Sequence, residues 1–133
     1  MKQKTERRYT PVMGMMHFAE KITEQGTKPM FKYYGKKGEI LEIDHNEFSE
    51  LVHRQIAGLI SCGLADKRIA IIGETSVQWF ASFIAIIAAG GVAVPMDKEL
   101  SILEIEGFFE MGGVEAVIFS RSFNSKIADT EKK

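Results

Sequence analysis

The sequence predicts an α/β protein: an open, mostly parallel sheet in a three-layer arrangement with flanking helices, preceded by a short β-hairpin. Three observations predict it. Helix-opening signatures recur at Asp44 with Glu47, Thr75 with Gln78 and Ser101 with Glu104; a short polar residue followed three positions later by Glu or Gln is the capping-box pattern. Each opened stretch then stops at glycine, at Gly63, at Gly90-Gly91 and at Gly112-Gly113, where helices commonly end. Each stop is followed by a short apolar run, Arg68 to Gly73, Val92 to Val94 and Glu115 to Phe119. Helices that alternate with short uncharged strands build βαβ units and a parallel sheet with right-handed crossovers.

Met13 to Thr23 reads as a short helix with Met16, Ala19 and Ile22 on one side, ended by Gly26. Pro29 turns Lys28 toward an extended conformation. Met30 to Tyr34 and Glu39 to Ile43 read as strands joined by Gly35-Lys36-Lys37-Gly38, a connection whose two glycines suit a hairpin. After Asp44, the residues Phe48, Leu51, Val52, Ile56, Leu59 and Ile60 fall on one helical face. The run Ile69-Ala70-Ile71-Ile72 has no charge on either face, which implies burial on both sides. Ser76 to Ala89 is apolar nearly all round, so this helix is expected to be covered on several sides. Val92, Ala93 and Val94 form the next strand, closed by Pro95. Ile102, Ile105, Phe108 and Phe109 supply the apolar face of the last capped helix. From Ser120 a loop opens into a short helix whose apolar residues past Phe123 are Ile127 and Ala128; a helix that short gains little by itself. The predicted organisation is a flexible basic arm over 1–12, an α/β subdomain over 13–120 and a tail over 121–133 that stops inside a unit. The residue pattern leaves strand order open.

At 133 residues the chain has the length of one domain with a real core. A net charge of −1 gives no electrostatic reason to expect nucleic acid as a partner. The start carries Lys2, Lys4, Arg7 and Arg8 against Glu6, read as a solvated arm. No apolar stretch follows it, so no signal peptide is read. Thr75 to Met96 lacks charge, but Gln78 and Ser82 interrupt it and Gly90, Gly91 and Pro95 break it. A bilayer span needs about 20 helical residues, so a buried helix and strand are expected instead. The single cysteine, Cys62, excludes an intrachain disulfide, fits a reducing compartment and is read as a packing residue.

The candidate chemistry is thin. Gly73-Glu74-Thr75 lies between a strand and a helix, where many α/β proteins bind phosphate, but neither G-x-G-x-x-G nor G-x-x-x-x-G-K-[ST] is present. A structural turn is the expectation. Asp97 follows a strand's carboxyl end, the usual place for a ligand in an open sheet; a turn or capping role is the plainer reading. Glu99 and Glu104 are expected to serve the next helix. His17, His45 and His53 form no metal-ligand spacing, and no Cys or carboxylate cluster joins them. Trp79 is read as a helix-packing residue. An unrelated small nucleotide binder is disfavoured by the missing phosphate-binding glycines.

Taken in order, these pieces resemble the N-terminal subdomain of the AMP-forming acyl-CoA synthetases, the adenylate-forming ligases, with the long-chain fatty acid members most alike. The family's T-Y-x-E-L helix start stands as Ile43-Asp44-His45-Asn46-Glu47-Phe48, and its A-x-x-L-x-x-x-G-L as Ala57 to Leu64. Its K-x-x-R-V-A-I followed by N-x-x-E-W reads Lys67-Arg68-Ile69-Ala70-Ile71 and Thr75-Ser76-Val77-Gln78-Trp79. Its A-x-x-x-x-G-G-V-x-V-P-L-D corresponds to Ala85 to Asp97, with Met96 for Leu. The likeness covers most of residues 16–120. Thr75 and Gln78 depart from the family's Asn and Glu, yet keep the capping pattern.

What the resemblance implies is a partial N-terminal subdomain of that fold. Family members carry a Ser/Thr/Gly-rich phosphate loop ending in P-K-G, an aromatic-Gly-x-Thr-Glu motif, a ribose-binding Asp and a C-terminal catalytic Lys, none of which occurs in this sequence. The parent enzyme would use ATP, Mg²⁺ and CoA to turn a fatty or other carboxylic acid into an acyl-adenylate and then an acyl-CoA. For this chain the expectation is no catalytic, cofactor-binding or metal-binding residue and no cofactor of its own. The expected partner is the remainder of the ligase, or a second copy met through an exposed sheet or apolar face, with no nucleic acid and no transmembrane segment. The expected location is cytoplasmic, with a membrane-peripheral parent left open. The alternative is a truncated, non-catalytic relative that acts as a binding or regulatory module.

Overall fold

A computed structural model of the chain describes residues 14–131; the basic arm of the sequence reading lies outside them. Helix α1 (Met15–Ile22) continues into a 3-10 turn at Thr23–Gln25 and stops at Gly26. Strands β1 (Pro29–Tyr34) and β2 (Ile40–Asp44) pair antiparallel, with Tyr34 opposite Ile40 and a bulge near Pro29. Gly38 takes a positive φ of 78° in the connection, as the hairpin reading requires. Phe31 holds this hairpin down, edge-on to Phe48 at 5.0 Å and stacked on Phe80 at 5.4 Å.

Helix α2 (His45–Ser61) opens with the predicted capping box, in which Asp44 accepts from the Glu47 N–H at 2.8 Å and Glu47 accepts from the Asp44 N–H at 2.9 Å. Strand β3 (Arg68–Ile72), helix α3 (Val77–Ala88), strand β4 (Val92–Met96), helix α4 (Ile102–Gly112), strand β5 (Ala116–Phe119) and helix α5 (Asn124–Glu131) follow, with a 3-10 turn at Arg121–Phe123 before α5. The three strands form one parallel sheet in the order β4-β3-β5, with Ile69 opposite both Ala93 and Ala116.

Alternation along β3 divides the core. Ile69 and Ile71 face one side and join a cluster with α1, α2 and α3, including Phe48, Val52, Ala81 and Ala85. Ala70 and Ile72 face the other side and meet Ile105 of α4 with Phe123 and Ile127 around α5. The expected three-layer α/β sandwich is therefore present, and β3 at its centre is buried on both faces. Although short, α5 docks through Ile127, which is buried in that second cluster.

The three helix stops share one geometry. The Gly63, Gly90 and Gly113 N–H groups donate to the carbonyls of Ile60, Ile87 and Glu110, and the next residue in each case reaches back to Leu59, Ile86 and Phe109. That paired pattern is the Schellman motif, which needs a left-handed residue at its hinge. All three glycines have positive φ. Gly91 matters differently, because a Cβ there would collide with the Lys67 carbonyl.

Several expectations need correction. Helix α3 is capped by Ser76, whose Oγ accepts from the Trp79 N–H at 3.1 Å, and not by Thr75 with Gln78. Strand β4 does not close at Pro95 but runs through it to Met96. The Val92 N–H donates to the Lys67 carbonyl at 3.0 Å, so alternation points Val94 and Met96 at β3 and leaves Pro95 on the open side, where a missing N–H costs no ladder bond. Ile60 lies off the buried face of α2 and is 58% exposed. Met16 is likewise exposed, and Met15 packs in its place. Phe108 of α4 is 45% exposed. Cys62 is exposed at the C-cap of α2 and packs no core. Among the described residues, no helix is long and apolar enough to cross a membrane.

Candidate functional site

The carboxyl end of the sheet is the place where the fold opens. The chain leaves β3 toward the α3 face, whereas it leaves β4 and β5 toward the α4 and α5 face. Neighbouring strands whose connections part to opposite faces open a crevice between them. Here the parting happens on both sides of β3. Between β3 and β5 a narrow cleft of about 100 Å³ is lined by Gly73, Glu74, Ser76, Trp79 and Ser120. Between β3 and β4 a wider one of about 440 Å³ is lined by Gly73, Glu74, Thr75, Trp79, Asp97 and Lys98.

The predicted turn Gly73-Glu74-Thr75 and Asp97 are thus brought together in the wider cleft. Their contacts are those of turns. Asp97 Oδ1 accepts from the Glu99 N–H at 2.8 Å. Glu74 Oε1 accepts from Ser122 Oγ at 3.4 Å, and Ser122 in turn pairs with Ser120 Oγ at 2.8 Å. A Cβ on Gly73 would lie 3.4 Å from that of Ser120, so the turn packs closely on the end of β5. Glu74 and Asp97 set two carboxylates against the one ammonium of Lys98. That donor set does not fit a polyphosphate, which needs converging N–H groups and cations. Among the described residues, no group of three His, Cys, Asp or Glu side chains is placed to hold a metal ion.

The remaining candidates lie elsewhere. His45 Nδ1 sits 2.6 Å from the Lys28 carbonyl and ties the start of α2 to the bend just before β1. His53 Nδ1 lies 2.7 Å from the Ser49 carbonyl one turn back. Glu104 completes the Ser101 capping box of α4; the hydrogen bond from the Ser101 backbone N–H, and then that with its hydroxyl, hold its carboxyl below the usual range. Glu115 is lowered chiefly by the bond from the Arg68 backbone N–H, against some desolvation, and also by the charges of Lys67 and Arg68.

Sequence reasoning missed Trp79 and Ser120 as cleft residues. Trp79 stacks on Phe83 at 5.6 Å as a packing residue does, yet it lines both clefts. Its place in the first turn of the helix that follows the central strand was the signal available.

With this geometry in view, the comparisons are consistent. Surfactin synthase subunit 1 from Bacillus subtilis is 26% identical over 92 residues, covering 68% of this chain and 3% of that protein. The N-terminal domain of FACL13 from Mycobacterium tuberculosis, solved with an inhibitor bound, superposes with a TM-score of 0.78 at 18% identity, over 90% of this chain and 30% of that one. An acyl-CoA synthetase from Brucella canis gives a TM-score of 0.79 at 16% identity, over 92% of this chain and 23% of that one. A benzoate CoA ligase from Burkholderia xenovorans LB400 gives 0.76 at 17% identity, with 92% and 24% covered. Each structural likeness shows the α/β fold, and this chain spans less than a third of each of these proteins. The family described as AMP-binding enzyme matches residues 18–133. By that match, which takes in nearly every element described above, the chain belongs to the AMP-binding enzyme family.

Proposed function

We propose that this chain is the N-terminal part of an ATP-dependent, AMP-forming acyl-CoA synthetase. The parent activates a fatty or other carboxylic acid as its acyl-adenylate with ATP and Mg²⁺, then transfers the acyl group to CoA. The chain alone supplies sheet and helices to that enzyme and carries no catalytic, cofactor-binding or metal-binding residue. The supporting observation is the family match over residues 18–133 on a chain that spans 23 to 30% of the solved ligases. The acidic, loop-capped clefts at the carboxyl end of the sheet agree with it. Residues 13–120 form the α/β subdomain in this reading, 121–133 open the next unit, and the location is cytoplasmic.

A second reading is a non-catalytic relative that binds a partner through its uncovered surface. The exposed Leu103, Phe108 and Met111 on α4 favour it, since large exposed apolar patches mark interaction sites. ATP–pyrophosphate exchange tests the first reading. The purified chain, supplied with ATP, Mg²⁺ and fatty acids of graded length, is expected to give no exchange above a protein-free control, and robust turnover would overturn the proposal. The reading frame after Lys133 separates the two: continuation into a phosphate loop supports the ligase, and a stop codon supports the free-standing module.

A further inference from the structure

The outer face of α4 is apolar along one line. Leu103, Gly107 and Met111 stand four residues apart and so share one side of the helix. Leu103 and Met111 are exposed, and Phe108 is partly exposed beside them. Gly107 is the unusual member, because a glycine inside a helix weakens it relative to alanine. It has no positive φ, and a Cβ there would meet nothing within 4 Å among the described residues. The chain's own packing therefore does not call for glycine at this position. What glycine does provide, midway along an apolar stripe, is room for a second backbone to come close.

The stripe runs into a cleft. Phe108 and Met111 also line an apolar hollow of about 350 Å³ with Pro95 and Leu100. A cavity of about 150 Å³ takes up one benzene molecule, so this one has room for two large apolar side chains. Apolar residues at helical spacing beside a receiving pocket are the elements of helix-in-groove docking.

Charge selects the occupant. The charged residues of α4 are Glu104, Glu106 and Glu110, with no Lys or Arg among them. At about 100° per residue, Glu104 and Glu110 fall just to either side of the stripe, and Asp97 lines the cleft. Arg68 meets the helix only at its C-terminal end, where it donates to the Gly112 carbonyl at 3.4 Å. Two copies crossing α4 on α4 would set carboxylates against carboxylates, and an anionic membrane would be repelled in the same way. A helix with Lys or Arg along the borders of its own apolar stripe is attracted. The eleven residues of α4 rise about 16 Å, which matches a partner of about three turns.

We infer that the outer face of α4 is a docking site for a basic amphipathic helix of a partner protein, which crosses at Gly107 and sets apolar side chains in the cleft beside Phe108. The inference deepens the reading of this chain as a module that binds a partner through its uncovered surface.

The test uses the intact chain and a fluorescein-labelled amphipathic peptide of about 14 residues, or about four turns. The peptide is built of Leu, Ala and Lys, with the lysines bordering the leucine stripe; a control carries Glu for every Lys. By fluorescence anisotropy the Lys peptide is expected to bind roughly ten-fold or more tightly than the Glu peptide, and its affinity to fall as salt is added. Replacing Leu103 and Met111 with Gln is expected to weaken binding by roughly ten-fold or more, as loss of central anchors does, with the melting midpoint kept. Gly107→Gln is expected to raise the melting midpoint, since glutamine favours helix over glycine, and yet to weaken binding by a similar factor. Gly58→Gln in α2 is the control, for Gly58 is equally open but has Arg54 and Cys62 one turn away. It is expected to raise the midpoint and leave binding unchanged. Equal binding of the two peptides overturns the inference, as does binding that survives replacement of Leu103 and Met111. Binding that survives Gly107→Gln, or that falls equally with Gly58→Gln, overturns it too. Self-association that the Lys peptide does not displace, and that disappears when Leu103 and Met111 are replaced, would overturn it in favour of a second copy. None of these readouts needs turnover. Absent binding with a stop codon after Lys133 removes the docking site alone, and a continuing reading frame removes the module reading alone.

Discussion

At the scale of single residues, capping was legible wherever two side chains answer each other. Asp44 with Glu47 and Ser101 with Glu104 form reciprocal pairs, and the sequence pattern finds both. It failed at α3, where Thr75 with Gln78 fits the pattern but Ser76 does the work. Ser76 stands three residues before Trp79, an indole that sends no acceptor back to the cap, so half of the signature is missing. The chain also needs Gly73, Glu74 and Thr75 to turn from β3 before a helix begins. Ser76→Ala is expected to cost about 1 kcal/mol, a typical N-cap loss, whereas exposed Thr75→Ala should stay within about 0.5 kcal/mol. Urea unfolding of the two variants checks this, and a larger loss for Thr75→Ala than for Ser76→Ala would return the cap to Thr75.

At the scale of elements, the helices and strands were legible because their stops are written in glycine and their faces in period. Pairing was less so, because it depends on contacts remote in sequence. The junction of β3 with β5 is an example. Glu115 Oε2 accepts from the Arg68 N–H at 3.0 Å, while the Glu115 N–H donates to the Arg68 carbonyl at 2.8 Å. Nothing in the sequence pairs residues 68 and 115. The ionised carboxylate is favoured in the folded chain, so its pKa lies below the ordinary 4.5. A carboxylate depressed on folding contributes stability above its unfolded value and loses it as pH falls through the folded one. Unfolding midpoints are therefore expected to drop as pH falls below about 4.5, and Glu115→Gln should flatten that drop while lowering stability at neutral pH. Parallel acid profiles for the two proteins would contradict this pairing.

At the scale of the whole molecule, the α/β class and the family likeness were legible, and the order β4-β3-β5 was not. Order follows from which face each crossover helix takes, which local pattern does not encode. The clefts at the carboxyl end were half legible: Asp97 and the Gly73 turn were singled out, but only the fold joins them to Trp79. The uncovered side of α4 is a property of this scale too. Leu103 and Met111 are 74% and 82% exposed, and Met111 lines an apolar cleft of about 350 Å³ with Pro95, Leu100 and Phe108. Replacing Leu103 and Met111 with Gln is expected to reduce binding of a hydrophobic dye by more than about half, while the melting midpoint stays within the small range of surface substitutions. Unchanged dye binding would move the sticky surface elsewhere.

The central position of β3 has a consequence for the order of events during synthesis. Its partner β4 is complete at Met96, whereas β5 is complete only at Phe119. At about 5–20 residues per second, the intervening stretch takes about 1–5 s to emerge from the ribosome. Over that interval one flank of the most buried strand has no native neighbour, and a nascent chain in that state is a natural client for chaperones that shield bare strands until translation catches up.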